Sequence, residues 1–150
     1  MDGLAPVYKV GGAVYRTGNS VPTVNLGTGY RLPSDAEWVY AARGGVLTHG
    51  YLYSGSADVN AVAWYNGNSG GATHVVGTKQ GNELGLYDMS GNAWEWCFDA
   101  ISIYGPNRVL RGGSWYGNEY NARLTDRANF DPSYGDSGDF GFRVVRSFGP

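Results

Sequence analysis

The sequence predicts an α+β domain built from short strands, one clear helix and much irregular loop. Three observations point to it. Glycine supplies 25 of the 150 residues, more than twice its usual share of about 7%. The chain also carries 12 Tyr, 5 Trp and 5 Phe, whereas disordered chains are poor in aromatics. Only one strong helix signal stands among many turn signals. Glycine provides the positive φ of tight turns, and large flat rings fill the core.

Residues 6–13 and 13–16 alternate weakly and suggest a hairpin turning at Gly11 and Gly12. Residues 21–26 suit another short strand. Ser34-Asp35-Ala36-Glu37 reads as a capping box, with Pro33 just outside it and Gly44-Gly45 as the stop, so a helix is expected over 35–43. A second short helix is expected near 58–62. Residues 62–65 and 74–76 are short strand candidates, and 92–99, 108–112 and 141–146 read as strands. No linker, repeat or like-charge block divides the chain, so residues 1–150 are read as one domain.

Composition narrows the function. The net charge is −2 and the sequence pI about 5.6, which argues against nucleic-acid binding through a broad basic surface. No apolar run approaches the ~20 residues of a membrane span, so membrane insertion is not expected. The opening MDGLAPVYKV lacks the regions of a signal peptide. A single cysteine, Cys97, excludes an internal disulfide. Lysine occurs only at 9 and 79, and the nine arginines read mainly as internal staples for carboxylates and loop carbonyls.

Four ordered segments carry a family resemblance. They are Tyr30-Arg31-Leu32-Pro33-Ser34-Asp35-Ala36-Glu37-Trp38 with Ala41-Ala42-Arg43-Gly44-Gly45; Asn82-Glu83-Leu84-Gly85-Leu86-Tyr87-Asp88-Met89-Ser90-Gly91-Asn92-Ala93-Trp94-Glu95-Trp96; Arg108-Val109-Leu110-Arg111-Gly112-Gly113-Ser114-Trp115; and Gly141-Phe142-Arg143-Val144-Val145. Together they resemble the formylglycine-generating enzyme, or sulfatase-modifying factor, domain, which implies a C-type lectin-like fold. The resemblance runs from about residue 30 to 147, and the first 29 residues match loosely. In the residues themselves, Trp94 and Trp96 share one strand face and Glu95 takes the other. The two indoles are read as core, and Arg111 and Arg143 as ties between loops.

Oxidases of that family use two cysteines shortly after the Gly-Gly-Ser motif to bind copper and engage the substrate. Here those positions fall at Gly117 and near Ala122, and neither residue supplies a thiolate. No catalytic residue and no copper are therefore expected; an oxidase or a degenerate relative with other chemistry is the alternative. Cys97 and His74 are read as structural. The resemblance also implies a structural calcium held by Asp88 and Glu95 carboxylates and the Gly91 and Ala93 carbonyls, hard oxygen donors that suit the ion. The competing reading makes Asp88 a turn cap and pairs Glu95 with an arginine.

Residues 114–140 stand apart. Asn, Tyr, Asp, Gly and Ser make up most of the segment, which lies between two rigid motifs. Loops held by a scaffold are where binding residues tend to lie, and this composition is that of a paratope. It resembles the variable proteins of diversity-generating retroelements, whose adenine-directed mutagenesis acts mainly on asparagine codons. Tyr116, Gly117, Asn118, Tyr120, Asn121, Asp126, Asn129, Phe130, Asp131, Tyr134, Asp136, Ser137 and Asp139 are the expected ligand-binding positions. Trp115, Arg123, Arg127 and Pro132 look like fixed scaffold. Tyrosines would anchor a partner, and Asp126, Asp131, Asp136 and Asp139 would form an acidic rim favouring a basic one. The implied role is a non-catalytic receptor-recognition domain at a virion or cell surface, such as a phage tail-fibre or adhesin tip. Its partner would be a protein or cell-surface receptor, with homo-oligomers formed through a parent fibre.

Overall fold

A computed structural model describes residues 8–10, 13–14, 23–24, 28–101, 105–134 and 138–147. In chain order the elements are β1 (Tyr8–Val10), β2 (Ala13–Val14), β3 (Thr23–Val24), β4 (Tyr30–Arg31), α1 (Asp35–Ala42), α2 (Val59–Val62), β5 (Trp94–Ala100), β6 (Arg108–Arg111), β7 (Ala128–Phe130), β8 (Phe140–Gly141) and β9 (Val145–Arg146). Short 3-10 turns occupy Gly45–Leu47 and Pro132–Tyr134. Three small sheets result, ordered β2-β1-β3, β4-β9 and β7-β6-β5-β8. All pairings are antiparallel except that of β5 with β8. The expected hairpin is present as β1–β2, and its Gly11-Gly12 turn lies outside the described residues.

Helix α1 forms where its cap predicts. Ser34 Oγ accepts from Glu37 N at 3.2 Å, and Glu37 Oε2 accepts from Ser34 N at 2.8 Å. Both orphan donors are thus satisfied reciprocally. Trp38 and Ala42, one turn apart, are its buried face. They pack with Met89, Cys97 and Val109 in one core cluster. A second cluster holds Tyr53, Val59, Val62, Ala63 and Ala122. Asn82 joins helix and loop: its Nδ2 donates to Ala41 O at 2.8 Å, and its Oδ1 accepts from Leu84 N and Leu86 N.

Three strand expectations are corrected. Residues 62–65 and 74–76 are not strands. Val62 ends α2, and the Trp64 indole instead stacks on the His74 ring at 3.7 Å between centroids, with Lys79 Nζ 3.9 Å from the indole centroid. Residues 141–146 form parts of two strands rather than one, because β8 pairs with β5 while β9 returns to β4.

Arg31 donates two bonds of 2.6 Å to Glu37, which hold the Glu37 carboxyl down at about 2 from its ordinary 4.5. A lowered folded-state pKa stabilises the protein above the unfolded value, and the gain is lost as pH falls through the folded one. Glu37→Gln is therefore expected to lower Tm at pH 6 and to flatten the decline of Tm between about pH 4.5 and 2. The Glu37 side chain is 44% exposed, so solvent screening keeps the effect small. Parallel Tm–pH curves for the two proteins would refute it.

Candidate functional site

The 114–140 segment is fastened by its neighbours before it presents anything. Arg111, on β6, donates from Nε to Asp35 at the start of α1 and from Nη1 to Asp126 O at 2.6 Å. Ser114 Oγ donates to Asp139 Oδ2 at 2.7 Å, and Trp94 N donates to Asp139 O. Ser90 Oγ donates to Ala122 O at 2.8 Å. Gly113 sits at φ +76°, and a Cβ there would lie 2.7 Å from the backbone C and O of Asn121. Only glycine lets the two strands of chain approach so closely.

On this base the expected binding residues divide. Tyr116 is 73% exposed and Tyr120 56%, and both project from turns. The Tyr116 ring meets Trp115 edge-on at 5.6 Å. Phe130 is 39% exposed and packs edge-on against Phe140, which in turn meets Trp96. Asn118, Asn121 and Asp126 mainly build the loop. Asn118 Oδ1 accepts from Tyr120 N and Asn121 N, Asn121 Oδ1 accepts from Asn118 N, and Asn121 Nδ2 donates to Asp126 Oδ2. Gly117 anchors it through a carbonyl that accepts from Asn66 N. Asn129 accepts from Asn107 Nδ2, and Asp131 caps its own turn by accepting from Ser133 N at 2.8 Å. Tyr134 closes the Pro132–Tyr134 turn; Asp136 and Ser137 lie outside the described residues.

The acidic rim requires correction. Asp139 is only 9% exposed and is bonded to Ser114, so it fastens the loop from within. Asp126 and Asp131 already serve loop bonds. Sequence reasoning also set Arg123 aside as scaffold. The structure places its guanidinium 4.3 Å from the exposed Tyr120 ring centroid, on the same face.

The two positions expected to stand where the oxidases carry thiols, 117 and 122, hold no reactive group. Gly117 is a bonded backbone turn, and Ala122 is 1% exposed in the second core cluster. Cys97 is fully buried, and burial pushes its thiol up to about 12, which suppresses thiolate chemistry. No group of three or more His, Cys, Asp or Glu converges on a metal position among the described residues. Among them, also, no helix is long and apolar enough to cross a membrane.

A recess of about 420 Å³ opens on the other side of β5, bordered by Val76, Tyr87, Asp88, Ala93, Glu95 and Phe142 among others. Asp88 Oδ2 accepts from Gly77 N at 2.7 Å, while its buried Oδ1 has no partner. Glu95 is shared: Arg143 Nε and Nη2 each donate to it at 2.6 Å, as does Trp38 Nε1. The Gly91 carbonyl accepts from Ala93 N. An orphaned carboxylate oxygen in a recess that a second carboxylate also borders is a hard donor of the kind a cation takes, and Asp88 Oδ1 is that oxygen.

Comparison with known proteins agrees with this architecture. Residues 9–148 match the Sulfatase-modifying factor enzyme 1-like domain, and the chain belongs to that family. The match begins at residue 9, so the likeness extends through most of the segment expected to match only loosely. "Chaperone protein LppX" of Paenibacillus barcinonensis is 40% identical, covering 83% of this chain and 52% of that protein. "Inactive C-alpha-formylglycine-generating enzyme 2" of Mus musculus is 33% identical, covering 81% and 44%. "Formylglycine-generating enzyme" of Streptomyces coelicolor is also 33% identical, covering 78% and 46%. The chain spans about half the length of these curated relatives. Among solved structures, Treponema denticola variable protein 1 superposes with a TM-score of 0.79 at 34% identity, over 94% of this chain and 62% of that one. The fold is thus the C-type lectin-like α+β fold of the formylglycine-generating type. The family includes enzymes and a relative described as inactive, so chemistry must be argued from the site.

Proposed function

We propose that the chain is a non-catalytic ligand-binding domain whose 114–140 face is diversified, as in the variable proteins of diversity-generating retroelements. The observation that carries this reading is the division within the segment. Tyr116, Tyr120 and Phe130 are exposed over a loop held by Arg111, Ser114 and Asp139. Exposed rigid aromatics on a fixed framework supply contact area at low entropic cost. The likeness to a Treponema denticola variable protein supports it, and so do the missing thiols at 117 and 122. Display at a phage tail-fibre or adhesin tip, toward a protein or cell-surface receptor, is the setting proposed, with oligomers formed through the parent fibre.

Sequencing the coding region across many cultured lineages tests this. Substitutions are expected at codons 116, 117, 118, 120 and 121, with Trp115 and Gly113 constant. Uniform codons throughout would overturn diversification. A sulfatase peptide incubated with the protein and copper is expected to keep its cysteine; turnover would overturn the non-catalytic reading.

We also propose that calcium, when bound, is structural and depends on Asp88. It would supply charge neutralisation at the carboxylates of the recess. Adding millimolar calcium to chelator-treated protein is expected to raise Tm by several degrees, and Asp88→Ala to abolish the rise. An unchanged Tm in the unaltered protein would remove calcium from the account.

A further inference from the structure

Asparagines in this fold are fasteners. Among the described residues every asparagine but one has its side chain in a hydrogen bond, as Asn60, Asn68, Asn82 and Asn121 show. The exception is Asn66. It is exposed, it heads the one Asn-Gly pair in the sequence, and among the described residues Gly67 N donates no hydrogen bond either. The pair lies in a turn closed by Asn68 N and Ser69 N, which donate to Tyr65 O at 2.9 and 2.8 Å. Glycine suits this pose, since a Cβ at 67 would fall 2.5 Å from Cε2 of the Tyr65 ring.

The position of the turn matters to the binding face. Asn66 N donates to Gly117 O and Ser69 Oγ donates to Trp115 O, both at 2.9 Å. These two bonds hold the carbonyls on either side of Tyr116, the most exposed aromatic of that face. Asparagine is a thermolabile residue. One whose amide is free and whose successor lacks a Cβ has little to undo before its side chain closes on the next backbone nitrogen. We propose that Asn66-Gly67 is a site of spontaneous covalent modification, and that its conversion releases Tyr116 from its setting. Gly67 N bonds to Asn66 Cγ and the bond from Cγ to Nδ2 breaks. The amide nitrogen leaves as ammonia, taking the proton that Gly67 N gives up. Water then opens the cyclic imide. Attack at Cγ gives aspartate, and attack at the main-chain carbonyl gives iso-aspartate, in which the backbone runs through Cβ. A backbone lengthened by that atom cannot keep Asn68 N and Ser69 N together on Tyr65 O, so Ser69 is drawn off Trp115 O. Neither step depends on what the face binds.

The test is a time course on the folded protein at mildly alkaline pH and body temperature. Cleavage after Arg43 and Lys79 releases one peptide holding Asn60, Asn66 and Asn68, so mass spectrometry compares the three directly. Conversion at Asn66 is expected to run about tenfold faster or more than at Asn60 or Asn68, whose amides must first leave hydrogen bonds. It should quicken as pH rises, because Gly67 N must shed its proton. In nitrogen-15 protein the Tyr116 and Gly117 amide signals are expected to shift with the same time course. Asn66→Gln, which cannot close the smaller ring, is expected to hold them steady. Fresh Asn66→Asp, which adds the charge without lengthening the backbone, should move them far less than iso-aspartate does. Earlier conversion at Asn60 or Asn68, or an intact Asn66 after the urea-unfolded chain has converted, would overturn the site. Conversion that leaves the Tyr116 and Gly117 signals in place, or equal shifts in Asn66→Asp, would overturn its link to the face.

Discussion

Glu95→Ala is expected to lower the unfolding free energy by about 3–5 kcal/mol, the range for removing one partner of a buried ion pair. Glu95 is 8% exposed and accepts from Trp38 Nε1 and from two nitrogens of Arg143, all at 2.6 Å. Alanine would strand an indole N–H inside the core and a guanidinium beside it. Arg143 keeps 25% of its side chain exposed, so water relieves part of its loss and the lower half of the range is favoured. The damage would reach both ends of the fold, since Trp38 lies on α1 and Arg143 follows β8. Chemical denaturation gives the value. Glu95→Gln, which keeps the shape and an acceptor, is expected to lose less than Glu95→Ala. A loss below about 1 kcal/mol for the alanine variant would show that the three-way contact contributes little.

Gly113→Ala is expected to cost about 2–4 kcal/mol and to disturb the binding face as well. The φ of +76° alone penalises a side chain by roughly 1–2 kcal/mol. The added methyl would also press on the Asn121 backbone, 2.7 Å away, and no flexible side chain can give way there. The 118–121 turn that carries Tyr120 must therefore shift. A lowered Tm together with displaced Tyr120 and Arg123 signals is the expected pair of results. Gly117→Ala is the comparison, because its new methyl would meet mainly the Asn121 side chain, at 3.1 Å from Oδ1. Equal Tm losses in the two variants would refute the backbone argument.

Local signals carried the sequence reading furthest. The Ser34–Glu37 box placed α1 to within one residue, since capping needs only neighbours in the chain. The reading that competes with calcium pairs Glu95 with an arginine and makes Asp88 a turn cap, and Arg143 and Gly77 N are the partners found. What failed was decided by distant partners. Residues 141–146 look like one strand until β5 claims one end and β4 the other. Asp139 looks like any loop aspartate, and only Ser114, 25 positions away, reveals it as a fastening. The arginines read as staples, which holds for Arg31, Arg111 and Arg143.

The Asn118–Asn121 hydrogen bonds separate two sorts of change in this loop. Exchanging Tyr116 or Tyr120 repaints a surface whose contour persists. Exchanging Asn118 or Asn121 releases amides that these side chains hold, so the contour itself is redrawn. A few neighbouring codons could thereby vary texture and relief independently, giving a small domain a wider repertoire of shapes than side-chain replacement alone would allow.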